Sequence, residues 1–80
     1  MPHLMLTGRQ IREARALLGL QRNQLAAKVM TVTTATITRA ELADHEPPIT
    51  IAQAAAIERT FDRAGVEFTP DGPQLRAEKP

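Results

Sequence analysis

The chain has 80 residues, a formal net charge of +1 and no Cys, Trp or Tyr. A chain of this length forms one small domain with a limited core, and the lack of cysteine excludes disulfides and thiolate metal sites. A reducing cytoplasm is therefore the expected setting. The longest apolar runs are too short to span a bilayer and residues 1–4 lack the basic start of a signal peptide, so neither a membrane segment nor secretion is expected.

The first predicted helix has clear signals at both ends. Thr7 is a good N-cap, Gln10 stands at its capping-box position, and Leu6 and Ile11 occupy the positions of a hydrophobic staple. Gly19 is placed to end the helix in a left-handed conformation. The inner face of this helix is expected to hold Ile11, Ala14, Leu17 and Leu18. Three arginines are expected to spiral around its outside: Arg9, Arg12 and Arg15.

Residues 20–41 predict two short amphipathic helices joined by a tight corner, which is a helix-turn-helix. Either Thr33 or Thr34 can cap the second helix. So few turns of helix do not hold themselves in water, so the two helices must pack against each other and against the flanking segments. The apolar face of the first helix comprises Leu25, Ala26 and Val29. That of the second comprises Ile37, Ala40 and Leu42.

The C-terminal half predicts one longer helix. Pro47-Pro48 ends whatever precedes it, and Thr50 with Gln53 forms a second capping box. The helix is expected to run to about Ala64, where Gly65 stops it. Its inward residues are expected to be Ile51, Ala54, Ile57, Phe61 and Ala64.

Residues 66–69 and 74–76 predict a short hairpin around residues 70–73. An isolated hairpin is marginal, so it is expected to lie on the helices or on another subunit. Phe61 and Phe68 are the two aromatic residues of the chain, and at this spacing both are expected in the core. Residues 7–76 thus predict a single, mostly helical domain, with flexible termini at residues 1–6 and 77–80.

The two halves of the sequence differ in charge. Residues 1–40 carry six bases and one acid, a formal charge of +5, whereas residues 41–80 carry four bases and eight acids, a formal charge of −4. Such a division can steer an acidic protein or a nucleic acid towards the basic half. The alternative is a solvated surface on which the two halves are mixed by the fold.

Three stretches of the sequence are GRQIREARALLGL at residues 8–20, QLA at residues 24–26 and ATITRAE at residues 35–41. Together they resemble the small XRE-type regulators related to phage Cro and repressor proteins. The tail at residues 64–68 and 72–76 is similar to the end of many short members. The resemblance implies an all-α bundle of four or five helices, a second motif helix that enters the major groove, and frequent homodimers. It also implies a structural ion pair between Arg15 and Glu41.

By match to this family, the base-contacting positions are Thr34, Ala35 and Thr38, with Thr33 at the helix start and Arg39 nearer the edge. Specific readout favours the paired hydrogen bonds of Arg, Lys, Asn or Gln, whereas Thr and Ala offer at most one bond or a methyl contact. Two bases are placed to hold phosphates or the acidic groups of a protein: Arg22 and Lys28. Three acids follow the motif and would oppose a phosphate backbone: Glu41, Asp44 and Glu46.

The corner of the motif departs from the family pattern. Residues 30–32, Met-Thr-Val, replace the usual glycine, and the corner has one residue more than usual. Glycine takes a positive φ without penalty, whereas these residues do so poorly. The extra residue is expected to relieve the strain by opening the turn, which would also change the angle between the helices.

These departures favour a protein partner over DNA as the target of a bacterial regulator of transcription. The preferred hypothesis is an antiactivator, whose small and weakly polar residues 33–38, flanked by opposite charges, grip a transcriptional activator. The alternatives are a dimeric repressor that places residues 33–39 in successive major grooves, an antitoxin, and a surface helix without a partner. No enzyme, metal or cofactor site is predicted, because the two histidines, His3 and His45, lie far apart and no phosphate-loop, nucleophile or HExxH motif is present.

Overall fold

The computed structural model describes residues 6–43 and 48–76, and within them the chain forms four helices followed by a hairpin. The helices are α1 (Gly8–Leu18), α2 (Arg22–Val29), α3 (Thr34–Leu42) and α4 (Ile51–Arg63). The strands are β1 (Val66–Thr69) and β2 (Gly72–Leu75), which pair antiparallel from Val66 with Leu75 to Thr69 with Gly72. The predicted helical bundle with a helix-turn-helix (α2 and α3) and a C-terminal hairpin is confirmed.

The two capping boxes predicted from the sequence are present. The Thr7 hydroxyl accepts from the Gln10 N–H at 3.1 Å, and the Gln10 side chain accepts from the Thr7 N–H at 2.9 Å. Thr50 and Gln53 make the same pair of bonds at the start of α4. Gly19 ends α1 with a φ of 67°, as expected. These helix ends are set by residues within one turn of each other, and they orient the helices that meet in the core.

The core is built from apolar residues of all four helices, of the first strand and of Leu6, which precedes the N-cap of α1. Phe61 is fully buried, as predicted, and meets the partly buried Phe68 edge to face, with ring centroids 5.9 Å apart, so Phe68 packs against the core. The hairpin lies on the helices, because β1 packs against α4 and β2 against α1. The buried apolar residues are Leu6, Ile11, Ala14, Leu25, Ala26, Val29, Ile37, Ala40, Ile57, Phe61 and Val66.

Four residues predicted to point inward are exposed instead: Leu17, Leu42, Ile51 and Ala64. Leu42 is 73% exposed and Ile51 is 89% exposed. All four stand within two residues of a helix end. The apolar period of a helix extends to its first and last residues, but the neighbouring elements do not always cover these ends. Periodicity alone therefore overestimates burial at helix ends.

The hairpin turn is tighter than predicted. Only Pro70 and Asp71 separate the strands, because the ladder already begins with Thr69 opposite Gly72. The Thr69 hydroxyl closes the turn by donating to the Gly72 carbonyl at 2.8 Å. Arg76 lies beyond β2 and ties the hairpin to α4, with its guanidinium 2.6 Å from an Asp62 carboxylate oxygen.

Helices α1 and α3 approach each other closely at Gly8. A Cβ atom on Gly8 would overlap the carbonyl oxygens of Ala40 and Ala43, well inside van der Waals contact. Arg12 donates to the carbonyl of Glu41, one of the orphan carbonyls at the end of α3. The prediction that Arg12 and Arg15 lie on the outside of α1 is therefore wrong, since both reach the end of α3.

Several expectations fall on residues outside those described, namely Pro47, His3, His45 and most of the two termini. Of the expected termini, Leu6 is buried in the core. Within residues 6–43 and 48–76, none of the helices has the length and apolar character needed to cross a membrane.

Candidate functional site

Helix α3 has a buried side and an exposed side. Ile37, Ala40 and Glu41 are buried. The exposed side is centred on Ala35, Arg39 and Leu42, which follow each other at the i, i+4 and i+7 spacing of one helix face. We define the outer face of α3 as Thr34, Ala35, Thr38, Arg39 and Leu42.

Of the two hydroxyl groups at the outer face, that of Thr38 is already used within the chain, and so are those of the neighbouring Thr33 and Thr36. The Thr33 hydroxyl caps α3 by accepting from the Thr36 N–H at 3.1 Å, and it lies 3.0 Å from the Thr36 hydroxyl. The Thr38 hydroxyl donates to the Thr34 carbonyl at 3.0 Å. Ala35 contributes only a methyl group. The Arg39 guanidinium and the Thr34 hydroxyl are therefore the side-chain donors that the outer face leaves for the edge of a base.

Glu41 lies at the centre of a buried charge cluster behind the outer face. Its side chain is fully buried, and its oxygens accept from Arg15 Nε at 2.8 Å and Arg15 NH2 at 3.0 Å. Arg22 Nε donates to the same carboxylate at 3.0 Å. A buried carboxylate is tolerated only when paired and hydrogen-bonded in this way. The cluster joins α1, α2 and α3 and fixes the angles between them.

The burial of Glu41 corrects one of the sequence-based expectations. Glu41 was expected to stand in an acidic flank that repels a phosphate backbone, but two guanidinium groups neutralise it and no solvent reaches it. The other two acids of that flank, Asp44 and Glu46, lie outside the described residues. The electrostatic objection to DNA is therefore weaker than the sequence indicated.

The bases of the first half of the chain do not form one continuous patch. Arg15 and Arg22 bind the Glu41 carboxylate, Arg12 binds the Glu41 backbone carbonyl, and Arg9 pairs with Glu13 on the surface at 3.0 Å. Because two bases from one half pair with an acid from the other, the two charged halves of the sequence are mixed in the fold. Arg22 keeps partial exposure, with 40% of its side chain accessible. In the part of the chain that is described, Lys28 and Arg39 are exposed and have no ion-pair partner.

The corner between α2 and α3 contains a strained residue. Met30 ends α2 with a φ of 75° and a ψ of −25°, the left-handed conformation that glycine usually supplies. The extra residue in the corner therefore does not relieve Met30 of a positive φ. The Met30 side chain is 83% exposed, whereas Val32 packs against the core.

Two exposed residues of this region are absent from the candidate site residues of the sequence analysis. Leu42 was assigned to the core, although its spacing from Ala35 and Thr38 places it on their face, which is a signal present in the sequence. Met30 was noted for its backbone and not for its exposed side chain, since exposure at a corner depends on the packing of both helices. Among the described residues, no group of three or more His, Cys, Asp or Glu side chains is arranged to hold a metal ion.

A family model described as helix-turn-helix matches residues 11–63, which cover α2, α3, α4 and all of α1 except its first turn. No curated protein and no solved structure matches the chain significantly.

Proposed function

The chain belongs to the XRE-type helix-turn-helix family of transcription regulators, and from this premise we propose that it acts as an antiactivator. In this mechanism the outer face of α3 binds a transcriptional activator and prevents it from acting. The helix-turn-helix then serves as a rigid frame that presents one short helix to a protein groove.

The observation that carries this proposal is the exposure of Leu42 on the outer face of α3. A leucine side chain that is 73% exposed removes little apolar area from water and so contributes little to the stability of the fold. Together with Ala35 and Thr38 it gives α3 the spacing of anchor residues that an amphipathic helix uses in a groove. A duplex offers a leucine at this position only a thymine methyl or the charged backbone.

The polar chemistry of the outer face supports the same conclusion. The hydroxyl of Thr38 already donates its hydrogen bond to the α3 backbone. Near the motif, within the described residues, Lys28 and Arg39 are exposed cations without an ion-pair partner and Arg22 is partly exposed, which is a small number for a protein that must hold many phosphates. Cations beside an exposed surface that is easily desolvated are sufficient to orient a protein partner with acidic groups.

Direct repression is the second candidate, and one observation favours it. Because Glu41 is buried and neutralised, the end of α3 does not present that carboxylate to a phosphate backbone. Arg22 holds Glu41 through Nε, which leaves its terminal nitrogens for a phosphate. This mechanism needs a homodimer to occupy successive major grooves, and the homodimer stays a prediction.

The experiment that separates the two candidates measures both binding reactions with the purified full chain. The activator that co-purifies with the chain is identified, expressed and mixed with it, and the activator's binding to its own promoter is followed by gel shift. For an antiactivator we expect the chain to release the activator from DNA and not to shift a duplex from its own upstream region beyond a control duplex. Selective binding to that upstream duplex, with a steep dependence on salt, would instead establish repression.

Two matched variants sharpen this experiment. Leu42→Ala removes an exposed leucine from the outer face, and Leu75→Ala removes an exposed leucine from the hairpin. We expect Leu42→Ala to weaken activator binding about tenfold, as loss of an interface anchor does, and Leu75→Ala to leave it unchanged. Equal affinities of both variants and the wild type would contradict the role of the outer face.

A further inference from the structure

Met30 is the one residue other than glycine with a positive φ in residues 6–43 and 48–76. A left-handed backbone brings Cβ close to the following carbonyl oxygen, so unbranched L-residues adopt it at a cost and β-branched residues almost never do. At the end of α1 the same conformation, with a φ of 67°, is adopted by Gly19, for which it carries no steric strain. The backbone at the end of α2 therefore favours glycine over the methionine that is present.

The methionine side chain makes no core contact that would offset this strain. It is 83% exposed and is not part of the core cluster. The one hydrogen bond of the residue, from its N–H to the Ala26 carbonyl at 2.9 Å, belongs to the backbone and is available to glycine too. Residues held in sparsely populated backbone conformations cluster at sites where a side chain must be held in place for a ligand.

The residues around Met30 indicate what such a ligand presents. The corner leads within five residues to Thr34 and Ala35, the exposed start of the outer face. Lys28 and Arg39 supply exposed positive charge without an ion-pair partner in the described chain. A thioether on a flexible stem fits apolar pockets of irregular shape, and the two cations fit carboxylates around such a pocket. A phosphate backbone would satisfy the cations and leave the thioether without a partner.

We propose that Met30 is an apolar anchor that the α2–α3 corner inserts into a pocket of the partner protein, with carboxylates of that protein at the pocket rim. This inference rests on the proposed antiactivator function and adds to it one residue and the chemistry of the surface that receives it. The strained corner is thus part of the binding surface, continuous with the outer face of α3.

The test compares the stability and the affinity of three full-length variants: Met30→Gly, Met30→Leu and Leu75→Ala. The probe is the purified activator identified by co-purification, titrated by calorimetry. Met30→Gly should raise Tm by about 4 °C, because the strain is removed, and should weaken activator binding about tenfold, because the anchor is lost. Met30→Leu keeps an apolar, unbranched-at-Cβ side chain and should retain both the Tm and most of the affinity. Leu75→Ala is the control for loss of an exposed leucine elsewhere.

Each other outcome overturns the inference in a recognisable way. If Met30→Gly binds the activator as tightly as the wild type, the anchor role is wrong while the antiactivator function stands. If the wild type binds no activator and shifts its upstream duplex, the proposed function fails and the inference fails with it. A lower Tm for Met30→Gly would show that the side chain stabilises the fold, and an equal loss of affinity in Leu75→Ala would show that the effect is not specific to the corner.

Discussion

The two sides of α3 differ in how completely their groups are satisfied within the chain. On the inner side, Gly8 lets α1 approach the α3 carbonyls, and Arg15 and Arg22 saturate the buried Glu41 carboxylate. On the outer side, Leu42 is exposed and Arg39 has no ion-pair partner among the described residues. The inner side can change little without loss of the fold, whereas the outer side can change freely unless another molecule depends on it.

This difference separates the frame of the molecule from its function. The inner contacts fix where α3 stands relative to α1 and α2, and they do so with backbone contacts and buried charge that tolerate few substitutions. The outer face then receives its orientation from the frame and is free to carry whichever side chains the partner requires. Substitutions on the two sides should therefore separate into effects on stability and effects on binding.

The largest expected effect on stability comes from Gly8→Ala. Helix propensity alone predicts that alanine stabilises α1 by up to about 1 kcal/mol. The added Cβ, however, would overlap the carbonyl oxygens of Ala40 and Ala43, so α1 and α3 must move apart. We expect a loss of about 3 kcal/mol or more in the free energy of unfolding, measured by urea denaturation, because overpacking against backbone relaxes poorly.

Gly19→Ala is the control for Gly8→Ala. It also places a Cβ on a glycine of the first half of the chain, but nothing lies within 4 Å of that Cβ and the cost arises from the positive φ alone. We expect a loss of about 1 kcal/mol. Equal losses in the two variants would mean that the α1–α3 approach at Gly8 is not tight.

Glu41→Gln should have the next largest effect. The amide keeps the shape of the carboxylate but leaves Arg15 and Arg22 without a counter-charge, and one of its N–H groups faces a guanidinium donor. Water can reach part of both arginines, so we expect a loss of about 2 to 3 kcal/mol, below the full cost of a stranded buried charge. Arg9→Ala breaks the exposed pair with Glu13 and should change stability by less than about 0.5 kcal/mol. If the Glu41→Gln protein were as stable as the Arg9→Ala protein, the Glu41 charge cluster would not contribute to the stability of the fold.

Thr33→Ala tests the boundary between frame and outer face. The Thr33 hydroxyl accepts from the Thr36 N–H and caps α3, so its removal should cost about 1 kcal/mol of unfolding free energy. The adjacent Thr34→Ala removes an exposed hydroxyl that has no such role and should cost almost nothing. Thermal unfolding of both variants under one condition measures the difference in stability. A larger loss of stability in Thr34→Ala than in Thr33→Ala would show that Thr34, and not Thr33, caps α3.

The features that the sequence predicted well depend on residues close together in the chain. The capping pairs Thr7–Gln10 and Thr50–Gln53 and the helix end at Gly19 are local hydrogen-bond and φ requirements, so a short stretch of sequence contains all the information. The close approach at Gly8 depends on the path of a helix about thirty residues away and leaves no local signal. The same holds for the guanidinium of Arg22, which was assigned to a phosphate and also holds Glu41.

Leu42→Ala has the smallest expected effect on stability, and its effects on stability and on activator affinity are expected to differ most. A leucine on the inner side of α3, as the helical period predicted, would cost about 2 to 5 kcal/mol when truncated. Because Leu42 is 73% exposed, we expect a change of less than about 0.5 kcal/mol in the free energy of unfolding. The same variant should lose activator affinity, so one protein measured by urea denaturation and by calorimetric titration separates the two roles. A loss of stability above about 2 kcal/mol would place Leu42 in the frame and remove the main support for a protein-binding outer face.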